Sequence, residues 1–133
     1  MLSVAFAGII FGLVIAIGLA VIAFYPEYLD LGSDTTVNML GGITLTVAVI
    51  VSLCAGIGEE LLFRGAMQPR FGILLTSVVF TVAHIQYPNP IQLGSLFAMS
   101  VVFGYEKQKA GTVACIITHT LYDLVILLAA IQA

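Results

Sequence analysis

Two adjacent carboxylates, Glu59 and Glu60, stand in Gly58-Glu59-Glu60-Leu61-Leu62-Phe63-Arg64, at the inner end of an apolar stretch that begins near Val37. An ionisable residue at membrane depth is expensive and marks a functional site by default. Two further apolar stretches each carry a histidine, His84 and His119, and the second adds Asp123. If Glu59, His84, His119 and Asp123 each faced lipid alone, penalties of about 3 kcal/mol apiece would total on the order of 10 kcal/mol. The four side chains are therefore expected to converge inside a bundle.

Helical spacing assigns them different jobs. Neighbouring positions point about 100° apart, so Glu59 and Glu60 are not expected to aim at one place. Glu60 and Arg64 lie four apart with the acid first, the favourable order for a same-face ion pair, which leaves Glu59 the freer carboxylate. Gly56 and Gly58 remove side chains beside it and let another backbone or a substrate approach. His84 follows Phe80 by one turn and shares its face. Asp123 follows His119 by one turn and is placed to accept from it and fix its tautomer. Plainer readings stand beside each: glutamates that snorkel to an interface near Arg64 and Arg70, a satisfied helix-end histidine near Tyr87 and Pro88, and a His119–Asp123 pair that only pins helices together.

The elements that must hold these groups are membrane helices. Hydrophobic residues make up 61% of the 133 and charged residues 8%, with a mean hydropathy of +1.17, a composition that describes an integral membrane protein. Runs long enough to cross the hydrocarbon core fall at about 3–25, 37–67, 71–87, 91–106 and 110–131, predicting an all-α, polytopic bundle of about five spans. Pro26, Pro69, Pro88 with Pro90, and Lys109-Ala110-Gly111 punctuate it. The first run lacks a basic n-region and a small-residue cleavage site, so it reads as a retained span. One integral membrane domain over 1–133 is expected, with the first span and an acidic link (Glu27, Asp30, Asp34) in 1–36 and the core in 37–133. All four bases, Arg64, Arg70, Lys107 and Lys109, fall on two links that an alternating path puts on one face, which places the N-terminus in the cytoplasm. A net charge of −3 offers nothing to a nucleic-acid backbone. Cys54 and Cys115 lack disulfide or metal spacing and read as small core residues. Gly8 and Gly12, a GxxxG pair, could support association with another copy of the chain as a homo-oligomer, but such pairs are common in membrane spans and weak evidence.

Three motifs occur in order: EExxxR at Glu59 to Arg64, FxxxH at Phe80 to His84, and HxxxN/D at His119 to Asp123. With the links Phe63-Arg64-Gly65, Gln68-Pro69-Arg70, Ala83-His84-Ile85-Gln86-Tyr87 and Gly104-Tyr105 through Gly111, about residues 38–131 resemble the CAAX prenyl protease and bacteriocin-processing (Abi) family of polytopic membrane proteases. The resemblance implies peptide-bond hydrolysis in the cell membrane by a glutamate-activated water. Glu59 would be the base, Glu60 and Arg64 supporting ion-pair residues, His84 an orienting group, and His119 with residue 123 the oxyanion partners. Asp123 departs from the asparagine common there, and an ionised aspartate cannot donate a hydrogen bond. It is either protonated or orients His119.

No cofactor is implied, yet Glu59, His84, His119 and Asp123 also form a divalent-metal donor set, which leaves a metal-dependent protease open although no HExxH spacing is present. The expected partners are the lipid bilayer and a membrane-associated peptide or protein, with the bundle open to the cytoplasmic side. A non-catalytic peptide-binding or bacteriocin-immunity module is the alternative. A small carrier has the right residue types, but no inverted repeat is seen.

Overall fold

A computed structural model of the chain describes positions 9, 10, 12–14, 16, 20, 43–87 and 90–132. Most of the expected first span, the acidic link and Gly8 lie outside the described residues. The described positions between 9 and 20 are helical. The remaining elements are α1 (Leu45–Glu60), a π-helical segment (Leu61–Met67), α2 (Gln68–Ala83), α3 (Pro90–Ala110) and α4 (Thr112–Gln132), with no strand among the described residues.

Local chemistry sets each boundary. Thr44 is extended and its hydroxyl accepts from the Val47 N–H at 3.3 Å, an N-cap that starts α1 at Leu45, later than the expected 37. In the π segment the Gln68 N–H donates to the Phe63 carbonyl, five residues back. Pro69 follows at once, with no N–H to give and a ring that crowds the carbonyl four residues behind it. Gly72 then adopts φ 72° and ψ 177°, a left-handed backbone open to glycine at little cost. The chain doubles back there. A continuous helix would hold positions 59 and 84 roughly 37 Å apart, whereas Glu59 Oε1 lies 3.7 Å from His84 Nε2. Gly111, with φ 88°, ends α3 by donating to the Lys107 carbonyl at 3.0 Å. Lys107 and Lys109 belong to the last turn of α3, not to a link, and complement its dipole.

α1 packs chiefly on α4, and α2 on α3. A Cβ built on Gly56 would collide with Thr120 Oγ1 and lie 2.9 Å from the Thr120 backbone nitrogen, so glycine lets these helices nearly touch. On the other pair, Gly104 lies against Ile73 and its carbonyl accepts from Gln68 Nε2 at 2.9 Å. That contact puts the Arg70 end of α2 beside the Lys107 and Lys109 end of α3. Arg64 does not join this basic end, because it is fully buried.

The polarity is the reverse of a soluble domain. Glu60, Arg64 and Glu106 are 0% exposed, while Leu45, Leu74, Val82 and Val113 are 60% exposed or more. Cys115 is buried as expected, but Cys54 lies on the outer surface. Two helical stretches, Leu45–Ala83 and Thr112–Ala129, are long and apolar enough to cross a membrane. The first is folded at Gly72, and the helix left between 73 and 83 is roughly 16 Å long, about half a hydrocarbon core. The third expected span is therefore not a full crossing by itself.

Replacing Gly56 with alanine should destabilise the protein by about 1–3 kcal/mol through overpacking. Gly58→Ala, where a Cβ meets nothing within 4 Å, should stay within about 0.5 kcal/mol. Thermal unfolding of both variants in detergent checks the contrast.

Candidate active site

The site is built on the buried pair Glu60–Arg64. Arg64 Nε lies 3.2 Å from Glu60 Oε2, four residues apart as the spacing requires. Its Nη2 donates to the Ser100 carbonyl at 3.1 Å and lies 3.0 Å from the Ser100 hydroxyl. The guanidinium also sits 5.0 Å from the Phe80 ring and 5.5 Å from the Phe103 ring, within cation–π range of both. One arginine thereby ties the π segment to α2 and α3.

The second oxygen of Glu60 reaches α4. Its Oε1 is 2.8 Å from His119 Nδ1, so the ring nitrogen donates to the carboxylate. Glu60, not Asp123, engages His119 Nδ1. Asp123 Oδ2 lies 3.4 Å from the other nitrogen, Nε2, and Glu59 Oε2 lies 4.0 Å from that same nitrogen. Glu59 and Glu60 thus do reach one group, from opposite edges of one imidazole. Their divergence on the helix is what lets them bracket the ring. Phe103 lies against it at 5.4 Å.

His84 caps α2. Its Nδ1 is 2.8 Å from the Phe80 carbonyl, and a carbonyl can only accept, so Nδ1 carries the proton. In the neutral ring Nε2 then presents a lone pair toward Glu59 Oε1, 3.7 Å away. The Phe80 ring lies 4.4 Å from His84, and Tyr87 stacks beyond at 6.2 Å. The contacts of Glu59 with the two imidazoles are too long for direct hydrogen bonds. All four expected side chains, with Glu60 and Arg64, fall in this one cluster.

Exposure is lopsided. The Glu59, Asp123 and His84 side chains are 30%, 26% and 16% exposed, against 0% for Glu60 and 1% for Arg64. Glu106 and Gln68 on the basic side are also buried. Among the described residues the sealed flank is therefore the basic one. The buried ion pair closes it. Among the described residues no group of three or more His, Cys, Asp or Glu side chains is arranged to hold a metal ion.

Sequence reasoning missed Ser100, Gln68, Thr118 and Glu106, all buried. Thr118 Oγ1 donates to Glu106 Oε1 at 2.7 Å. Gln68 follows Arg64 by one turn and shares its face, a signal that was available. Ser100 serves through a carbonyl as well as a hydroxyl, and no residue pattern reports a carbonyl.

An all-helical chain with an apolar exterior and acids and imidazoles in its interior defines a class: a polar site enclosed by membrane-type helices. Residues 41–125 match the family described as type II CAAX prenyl endopeptidase Rce1-like, and the chain belongs to that family. It is a family of membrane proteases, and the matched stretch contains every residue of the cluster. An Escherichia coli protein described as an "Uncharacterized 24.3 kDa protein" is 34% identical over 79 residues, which cover 52% of this chain and 36% of that protein. The chain spans about a third of the length of this curated relative. No solved structure is significantly similar to it.

Removing one partner of a buried ion pair leaves the other uncompensated, a loss of about 3–5 kcal/mol. Arg64→Met should show a loss of that size in denaturant unfolding. Arg64→Lys should recover only part of it, because an ammonium lacks the planar fork that serves Glu60 and Ser100 together.

Proposed function

We propose that the chain is an integral membrane endopeptidase that hydrolyses membrane-associated peptides or proteins with a water activated by Glu59. The observation that carries this reading is the half-exposed Glu59 carboxylate set between two imidazole Nε2 atoms, at 3.7 Å and 4.0 Å. Such distances are spanned by a bridging water. Glu59 and the neutral edge of His84 are both acceptors, so a water between them gives one proton to each and turns its oxygen lone pair outward.

The chemistry follows as acid–base steps. Glu59 takes the proton of the water as its oxygen attacks the peptide carbonyl carbon, and the carbonyl oxygen becomes an oxyanion. The amine leaving group takes that proton back from Glu59 as the carbon–nitrogen bond breaks. Three acids, Glu59, Glu60 and Asp123, surround His119 with one guanidinium nearby. A doubly protonated His119 would offset part of that negative charge and offer an Nε2–H to the oxyanion. Asp123, 3.4 Å from that nitrogen, orients the ring and does not need to donate.

In the bilayer, Arg70, Lys107 and Lys109 at one end of the bundle favour a cytoplasmic position for that end. Glu59 then lies roughly 16 Å along its helix from Arg70, near the midplane of a hydrocarbon core about 30 Å thick. A second reading rests on donor type alone: His84 Nε2, His119 Nε2, Glu59 and Asp123 are groups that a divalent cation accepts, although among the described residues they are not arranged to hold one.

Cleavage of a membrane-anchored peptide library by protein in lipid tests both. Glu59→Gln and Glu59→Ala should lower turnover at least about 100-fold with the fold retained, and chelator should leave wild type unchanged. Loss on chelation would select the metal reading. No wild-type cleavage, with Glu59→Ala impairing assembly or peptide binding instead, would make the chain a binding module.

A further inference from the structure

Glu106 belongs to none of the three motifs, yet it is as buried as Glu60. Its Oε1 accepts from Thr118 Oγ1 at 2.7 Å, and its Oε2 has no hydrogen-bond partner. No basic side chain lies within ion-pairing distance of it among the described residues. A carboxyl group is a costly way to hold two helices together when a smaller acceptor would serve. Its position accounts for it: Thr118 immediately precedes His119, whose ring must present Nδ1 to Glu60 and Nε2 to Glu59.

A second grip lies one turn away on both helices. Cys115 Sγ reaches the Phe103 carbonyl at 3.4 Å, and the Phe103 ring packs on His119 at 5.4 Å. Glu106 and Phe103 on α3 thereby hold Thr118 and Cys115 on α4, with His119 beside them. These two grips oppose rotation of α4 about its own axis, and a small rotation there would swing His119 Nδ1 away from a 2.8 Å contact.

We propose that Glu106 is a positioning residue, acting through Thr118 to hold the His119 imidazole between Glu60 and Glu59. It serves as a hydrogen-bond acceptor, so an amide oxygen at the same place substitutes for it. The catalytic part of the inference rests on the endopeptidase reading above; the structural part does not.

The test joins imidazole NMR of histidine-labelled protein in detergent with kinetics. Glu106→Ala should shift or broaden the His119 Nδ1 proton signal and leave that of His84 in place, and Thr118→Val, which removes only the donor, should do the same. Glu106→Gln should restore the wild-type signal. On cleavage, the alanine and valine variants should lose about 10-fold in kcat with KM unchanged, as outer-shell partners typically do, and the double variant should be no worse than either. An unmoved His119 signal in both single variants would overturn the proposal. So would equal shifts at His84 and His119, which mark general loosening. If wild type cleaves nothing, the endopeptidase reading fails while the NMR comparison still decides the role of Glu106.

Discussion

A buried charge in an apolar bundle has to find its opposite, and the Glu60–Arg64 pair is where this chain meets that demand. Neither side chain is tolerable alone, since the penalty for an unpaired ion away from water is several kcal/mol. Satisfying both recruits the whole described bundle. Arg64 takes the carbonyl and hydroxyl of Ser100 from α3 and lies near rings of α2 and α3, and the other oxygen of Glu60 takes His119 from α4. Arg64 lies within the π segment, a form found frequently at functional sites. Helix order here follows from hydrogen-bond obligation as much as from apolar packing, which lipid tails would satisfy equally well.

Fixing Glu60 also determines what Glu59 does. Adjacent helical residues diverge, so once Glu60 turns into the sealed flank Glu59 must emerge on the other, where its side chain is 30% exposed. The divergence first suggested separate destinations. Because His119 stands between the two directions, its two nitrogens meet both acids, and the sealed glutamate holds the ring that the open glutamate works beside. This division needs no difference in residue type, only one step along a helix.

Much of the site was legible because its residues obey short spacings. EExxxR, FxxxH and HxxxD each place two groups on one helical face, and the energetic argument that lone charges cannot face lipid required the faces to meet. Pro69 marked the right neighbourhood for the reversal, although the residue that makes it is Gly72 with its left-handed backbone. The i,i+4 spacing pointed to Asp123 beside His119, where it lies against Nε2, but not to Glu60 on Nδ1, because no short spacing reports a partner 59 residues away. Arg64 was counted with the interfacial bases because position near a link does not disclose burial. Glu106 stayed hidden beside Lys107 and Lys109, where an acid reads as surface charge.

The short α2 explains how a polar centre stays sealed on one flank and open on the other. After Gly72 the helix lasts only to Ala83, and His84 ends it with φ −106° and ψ 20°. The next residues turn, with the Ile85 N–H donating to Val82 and the Tyr87 N–H to His84. Irregular backbone at membrane depth is tolerated only where it is buried in protein or lines a water-filled space. Had α2 crossed the full hydrocarbon thickness, another two turns of helix would continue past Glu59 along the flank where it now emerges. Ending the helix at His84 leaves that flank clear and puts an imidazole with a fixed tautomer at its edge. Closure by Arg64 on the basic side and early termination of α2 on the other are thus complementary constraints, and together they leave Glu59, with Asp123 beside it, on the flank that water can reach.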